Sequence, residues 1–202
     1  AGAKVAHGLS QAPEWLWIQG RSINSGGKIY HHKNTSNPET DYLALHATDA
    51  TFDSAWLNDT APDAKCFTIG GTGVASNNNN ETYVAYCWHG VEGFSKFGSY
   101  VGNGSADGTF IYLGFKPALI ITKNISGSYR WNILDNARDP FNPAGRWLAP
   151  DNTDDEDAYT GSYPHDFLSN GYKLRANTTV LNNSGHTYVY MAFAEHPFVG
   201  NG

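Results

Sequence analysis

Apolar residues in this chain come in short runs, and polar, glycine-rich stretches separate them. Residues 14–19 (EWLWIQ) follow Pro13 and read as a buried strand, and 28–32 (KIYHH) read as a short one. At 42–45 the side chains alternate, with Tyr42 and Ala44 on one face and Leu43 and Leu45 on the other. Further strands are predicted at 65–69, 82–89, 110–114, 118–123, 129–134, 146–148, 167–168, 171–176 and 187–194. A short helical turn fits 54–57. Many short strands with turn residues between them predict an all-β, antiparallel β-sandwich. Long connections between them favour jelly-roll-like wiring over simple meanders.

The pattern is stated twice. Thr82-Tyr83-Val84 returns as Thr187-Tyr188-Val189, a spacing of 105 (187 − 82). The same spacing carries Leu43-Ala44 to Leu148-Ala149 and Asn77-Asn78 to Asn182-Asn183. Nearer the starts the spacing is 104, taking Pro13 towards Pro117 and Trp15-Leu16-Trp17 to Leu119-Ile120-Ile121. A period of this size is that of a domain, not a solenoid unit. The expected organisation is a β repeat at 1–93, a glycine and aromatic joint at 94–115, and a second β repeat at 116–202. The joint is expected to cross between the halves and pack them as one unit.

A register follows if 65–69 and 82–89 form a hairpin. Cys66 then lies opposite Cys87, and Gly171 opposite Ala192. Phe67 and Ile69 would share a face with Val84, Tyr86 and Trp88. The two cysteines are expected as neighbouring thiols in a protein folded in bacterial cytosol.

Composition narrows the function. The chain is rich in Gly, Asn, Thr and aromatics, which suits strands and turns. Its formal net charge is −6 and no basic cluster occurs, so a nucleic-acid footprint is missing. No apolar run approaches a membrane-spanning helix, and residues 1–10 lack the features of a signal peptide. Two cysteines exclude a disulfide-stapled mini-fold.

Candidate chemistry is sparse. The nucleophile-elbow, zinc-protease and P-loop motifs are absent. Glu92, Asp107, Glu195 and the 151–157 run supply carboxylates, yet no spacing fixes a glycosidase pair. Within that run Asp151, Thr153, Asp155 and Asp157 alternate like oxygen ligands of a calcium loop, with the three aspartates as the candidate ligands. The sixth-position glycine and the closing glutamate are missing, so a solvated acidic loop is the default and calcium the alternative; no other cofactor is expected. The histidines are scattered, and adjacent His31 and His32 on a strand point to opposite faces. Trp15, Trp17 and Trp88 read as core. Trp56 and Trp147 lie beside loops, with Tyr159 and Tyr163 in a nearby polar stretch. Exposed rings among Asn and Asp are what sugar binding uses, and packing under long loops is the alternative.

The segment FSKFGSYVGNGSADGTFIYLGFKPALIITK, with HGLSQAP before it and TYVYMAFAEHPF at the end, resembles a known family. It is similar to a duplicated domain of unknown function that recurs in tail-fibre-like structural proteins of phages, marine and cyanobacterial ones especially. The likeness covers essentially the whole chain and is carried by 94–115, 83–88 and 188–198. One departure is Trp88-His89-Gly90, which stands where a run like Phe193-Ala194-Glu195 is expected. The family offers no catalytic or binding residues to transfer. The resemblance implies a virion structural protein, made in the host cytoplasm and displayed on the particle. The expected function is a non-enzymatic tail-fibre or adhesion domain recognising host surface glycans. Its expected partners are other virion subunits in a homo-oligomer and a host polysaccharide, with neither nucleic acid nor membrane insertion. Capsid decoration or fibre assembly without a ligand is one alternative, and a glycan depolymerase another.

Overall fold

The computed structural model describes residues 2–23, 26–71, 76–156 and 161–197. Among them the chain forms fourteen strands, all antiparallel, and two single-turn 3-10 helices. It divides into two compact units, Ala1–His89 and Gly90–Gly202.

In the first unit, β1 (Ala3–Ala6) pairs with β6 (Cys66–Ile69). The second layer holds β2 (Trp15–Gly20), β3 (Gly27–His31), β4 (Asp41–Ala44), β5 (Phe52–Asp53) and β7 (Tyr83–Trp88), in the order β5-β4-β3-β2-β7. Leu16, Ile18 and Tyr30 of the larger sheet pack with Phe67 of the smaller one. Trp56 and Leu57, from the 3-10 turn Ala55–Leu57, join the same core.

The second unit also has two sheets. One sheet has the order β11-β10-β14-β8: β8 is Ser95–Val101, β10 Pro117–Asn124, β11 Trp131–Asp135 and β14 Thr187–Ala194. The other has the order β12-β13-β9: β9 is Phe110–Tyr112, β12 His165–Leu168 and β13 Gly171–Leu174. Ile120, Leu134, Tyr188, Tyr190 and Ala192 face Ile111, Phe167, Tyr172 and Leu174 across the core.

Several paired residues of the two units stand 104 or 105 positions apart. Trp15 faces His31 and Leu119 faces Asp135, each residue 104 positions on (119 − 15, 135 − 31). Trp15 also faces Trp88, and Leu119 faces Phe193. Val5 opposes Phe67 and Ile111 opposes Tyr172, at spacings of 106 and 105 (111 − 5, 172 − 67). Ile29 meets Leu43 as Ile133 meets Leu148. Asn78 N–H donates to the Tyr83 hydroxyl at 3.1 Å, and Asn183 N–H to the Tyr188 hydroxyl at 2.8 Å.

Three expectations are corrected. The 65–69/82–89 hairpin does not form: Cys66 lies opposite Ala6 and Cys87 opposite Leu16. Gly171 likewise opposes Leu168 and Tyr112, while Ala192 opposes Ile120 and Lys96. β6 and β7 belong to different sheets, so strands adjacent in sequence are not adjacent in a sheet. The inward residues of β7 are consequently Tyr83 and Cys87, which pack against the Phe67 core, rather than Val84, Tyr86 and Trp88. Both cysteines are free thiols. Finally, the 94–115 segment is built into the second unit: β8 is a seven-residue strand on β14, and β9 an edge strand on β13.

Candidate functional site

The second unit carries a cleft of about 340 Å³ lined by residues that lead into β8 and out of β9. Glycine at 114 is required there, because its φ of +89° lies in the left-handed region. The N–H groups of Leu113 and Gly114 both donate to the Asn170 carbonyl, at 2.9 and 3.1 Å, which pins this wall to the β12–β13 turn. Leu113 and Phe115 are buried in the core, so the floor of the cleft is part of the core packing.

The strand period sets what the cleft presents. On β9 Ile111 points inward, while Phe110 and Tyr112 point out. Tyr112 is 60% exposed. The Lys96 ammonium donates to the Tyr112 carbonyl at 2.9 Å and lies 5.1 Å from the centre of its ring. Glu92 is exposed on the rim. An open aromatic face, an ammonium donor and a carboxylate acceptor are thus gathered at one place. That set can stack on a sugar ring and hydrogen-bond its hydroxyls. The volume lies in the range of small-molecule sites.

The residues expected to bind sugar are placed differently. Trp56 is fully buried, its indole N–H donating to the Asp41 carbonyl at 2.9 Å. Trp147 is 3% exposed and meets Tyr163 edge-on at 4.8 Å between ring centres. Tyr163 is partly buried against the same core. Trp147 and Tyr163 therefore come together as packing, and neither tryptophan offers an open face. Tyr159 lies outside the described residues.

The acidic run is held by arginines. Glu156 accepts from Arg138 at 3.3 Å and lies 3.7 Å from Arg146, and Asp154 is 4.0 Å from Arg130. Asp151 is half-buried, and burial raises its pKa despite nearby Arg130 and Lys123. Asp155 is exposed. Asp157 lies outside the described residues, among which no group of three or more His, Cys, Asp or Glu side chains is placed to hold a metal.

The other carboxylates have local partners. Asp107 lies 2.6 Å from the Lys173 ammonium and 3.6 Å from Arg175, and its hydrogen bond from Lys173 lowers its pKa. Glu195 binds Lys116 and the Asn136 amide, both at 2.8 Å, tying the end of β14 to the start of β10.

From the sequence Glu92 stood out only as one carboxylate of a glycosidase pair that no spacing fixed. Lys96 and Tyr112 were not singled out. The alternation in Phe110-Ile111-Tyr112 held the signal, because it turns two aromatics outward once Ile111 is taken as core.

No curated protein and no solved structure matches the chain. The sequence profile of the domain of unknown function DUF7483 matches residues 1–197. That match spans both units, and the chain belongs to this family.

Proposed function

We propose that this chain is a non-enzymatic structural module of a phage virion that binds host surface polysaccharide through the β8–β9 cleft. The observation that carries the binding reading is the Tyr112 ring, open to solvent beside Lys96 and Glu92. Phe110, 42% exposed on the same outward side of β9, extends the apolar track beyond one sugar. The virion assignment rests on the family resemblance of the 94–115 segment. Among the cleft-lining residues Glu92 is the one carboxylate, whereas glycoside hydrolysis uses a pair, which favours binding over cleavage. The matching ladders support descent of both units from one duplicated half.

The test is a polysaccharide array probed with the full chain and with Tyr112→Ala and Lys96→Ala. Each substitution is expected to weaken binding roughly tenfold, the scale of one stacking contact or one charged hydrogen bond. Both side chains have exposed surface, so the fold should be unaffected. Binding indifferent to both substitutions overturns the cleft as the site. A chain that binds no glycan on the array overturns the adhesion reading.

A further inference from the structure

The two units differ at one edge. In the second unit β14 is covered by β8, from Thr187 opposite Val101 to Phe193 opposite Ser95. In the first unit the counterpart of β14 is β7, which pairs with β2 and, among the described residues, with no other strand. Hydrogen bonding defines which groups are left open. Arg21 N–H donates to the Thr82 carbonyl and Glu14 N–H to the Trp88 carbonyl, so the even-numbered residues of β7 face β2. By strand alternation the N–H and C=O groups of Tyr83, Ala85 and Cys87 face outward. Their counterparts Tyr188, Tyr190 and Ala192 oppose Tyr100, Gly98 and Lys96 of β8.

A pocket of about 230 Å³ lies beside this open edge. Ile18, Phe67 and Ile69 supply its apolar lining, and Ser76, Asn77 and Tyr83 its polar one. In the second unit the corresponding space is filled by a side chain of β8. Tyr100 is buried there, stacked on Tyr188 at 4.9 Å with 7° between the rings. Its hydroxyl donates to the Leu181 carbonyl at 2.9 Å. Tyr83 stands 105 positions before Tyr188, and Ser76 105 before Leu181. Tyr190, whose hydroxyl comes close to the backbone of Gly98, is replaced in the first unit by Ala85. Among the described residues the first unit thus has the pocket and no counterpart of the Tyr100 side chain in it.

The outer face agrees. Phe97 opposes Met191, which is 4% exposed; the counterpart of Met191 is Tyr86, 44% exposed and stacked beside Trp88. An open edge of this kind is ordinarily guarded by lysine, proline or a bulge. The sequence of β7, YVAYCW, contains no charge and no proline, and its register on β2 is continuous.

We propose that β7 and its pocket bind an extended strand of a partner polypeptide, which adds antiparallel to β7 and inserts a tyrosine beside Tyr83. The partner strand has the chemistry of β8: apolar residues towards Tyr86, a small or medium residue opposite Ala85, and a tyrosine opposite Tyr83. Backbone hydrogen bonds to Tyr83, Ala85 and Cys87 provide affinity, and the tyrosine pocket provides register.

The experiment uses the full chain and a synthetic peptide of residues 93–103, with fluorescence anisotropy for affinity and residue-resolved amide exchange for location. The expected result is saturable binding with new protection at Tyr83, Ala85 and Cys87. A peptide with alanine at the position of Tyr100 should bind at least tenfold more weakly. Ala85→Pro removes one outward N–H and spares the β2 ladder, so it should abolish protection. Ala85→Tyr should fill the pocket as Tyr190 does and weaken the wild-type peptide selectively. Binding that leaves β7 unprotected overturns the proposal, as does equal affinity of the alanine peptide. No binding to a chain whose β14 amides are protected also overturns it. Self-association of the chain without peptide, lost in Ala85→Pro, would replace the partner strand with a second copy and overturn the partner assignment.

Discussion

His165 is held as a neutral ring at the centre of the second unit. It is fully buried, and burial lowers its pKa to about 4 from an ordinary value of 6.5. One nitrogen, Nδ1, lies 2.8 Å from the Tyr163 carbonyl, and the ring lies 5.8 Å from that of Tyr172. The unfolded chain takes up a proton near pH 6.5, whereas the folded chain resists until about pH 4. Stability is therefore whole above pH 6.5 and falls as pH drops towards 4, by about 3 kcal/mol for this group. Chemical unfolding of the wild type and His165→Phe across that range checks it. The wild type should show the extra slope and the variant should not; equal slopes would place the titration elsewhere. The sequence named the histidines only as scattered, because burial is a property of the pairing partners. The same applies to Trp56 and Trp147. Their place beside loops was visible, but the layer that closes over them was not.

At the scale of elements, the period of two identified most strands to within a residue or two. The single turn at Ala55–Leu57 was also legible. What the pattern could not supply was partner choice. The 65–69 and 82–89 segments each sort cleanly into two faces, and that sorting is compatible with a hairpin or with opposite layers. β8 was missed for another reason: its glycines read as joint chemistry. Gly98 is in fact a packing glycine within a strand, since a Cβ there would come 2.6 Å from the Tyr190 hydroxyl. Gly98→Val should accordingly push β8 off β14, costing about 1–3 kcal/mol as an overpacked site. Thermal unfolding should show a lowered midpoint, and residue-resolved amide exchange should show loss of protection at Tyr188, Tyr190 and Ala192, which face β8. An unchanged midpoint would show that Tyr190 moves aside without cost.

At the scale of the whole molecule, β8 covers the edge of β14 in the second unit, whereas among the described residues no strand covers the corresponding edge of β7 in the first. Matches at 104 and 105 were visible because apolar classes recur at those spacings while polar identities drift. The open edge was not legible, since it depends on which layer each strand joins. Residue-resolved amide hydrogen exchange on the full chain tests this most directly. The N–H groups of Tyr188, Tyr190 and Ala192 should exchange slowly beneath β8. Those of Val84, Tyr86 and Trp88 should also be slow, because they face β2, while Tyr83, Ala85 and Cys87 exchange fast. Protection at Tyr83, Ala85 and Cys87 equal to that of their β14 counterparts, in the chain alone, would contradict it.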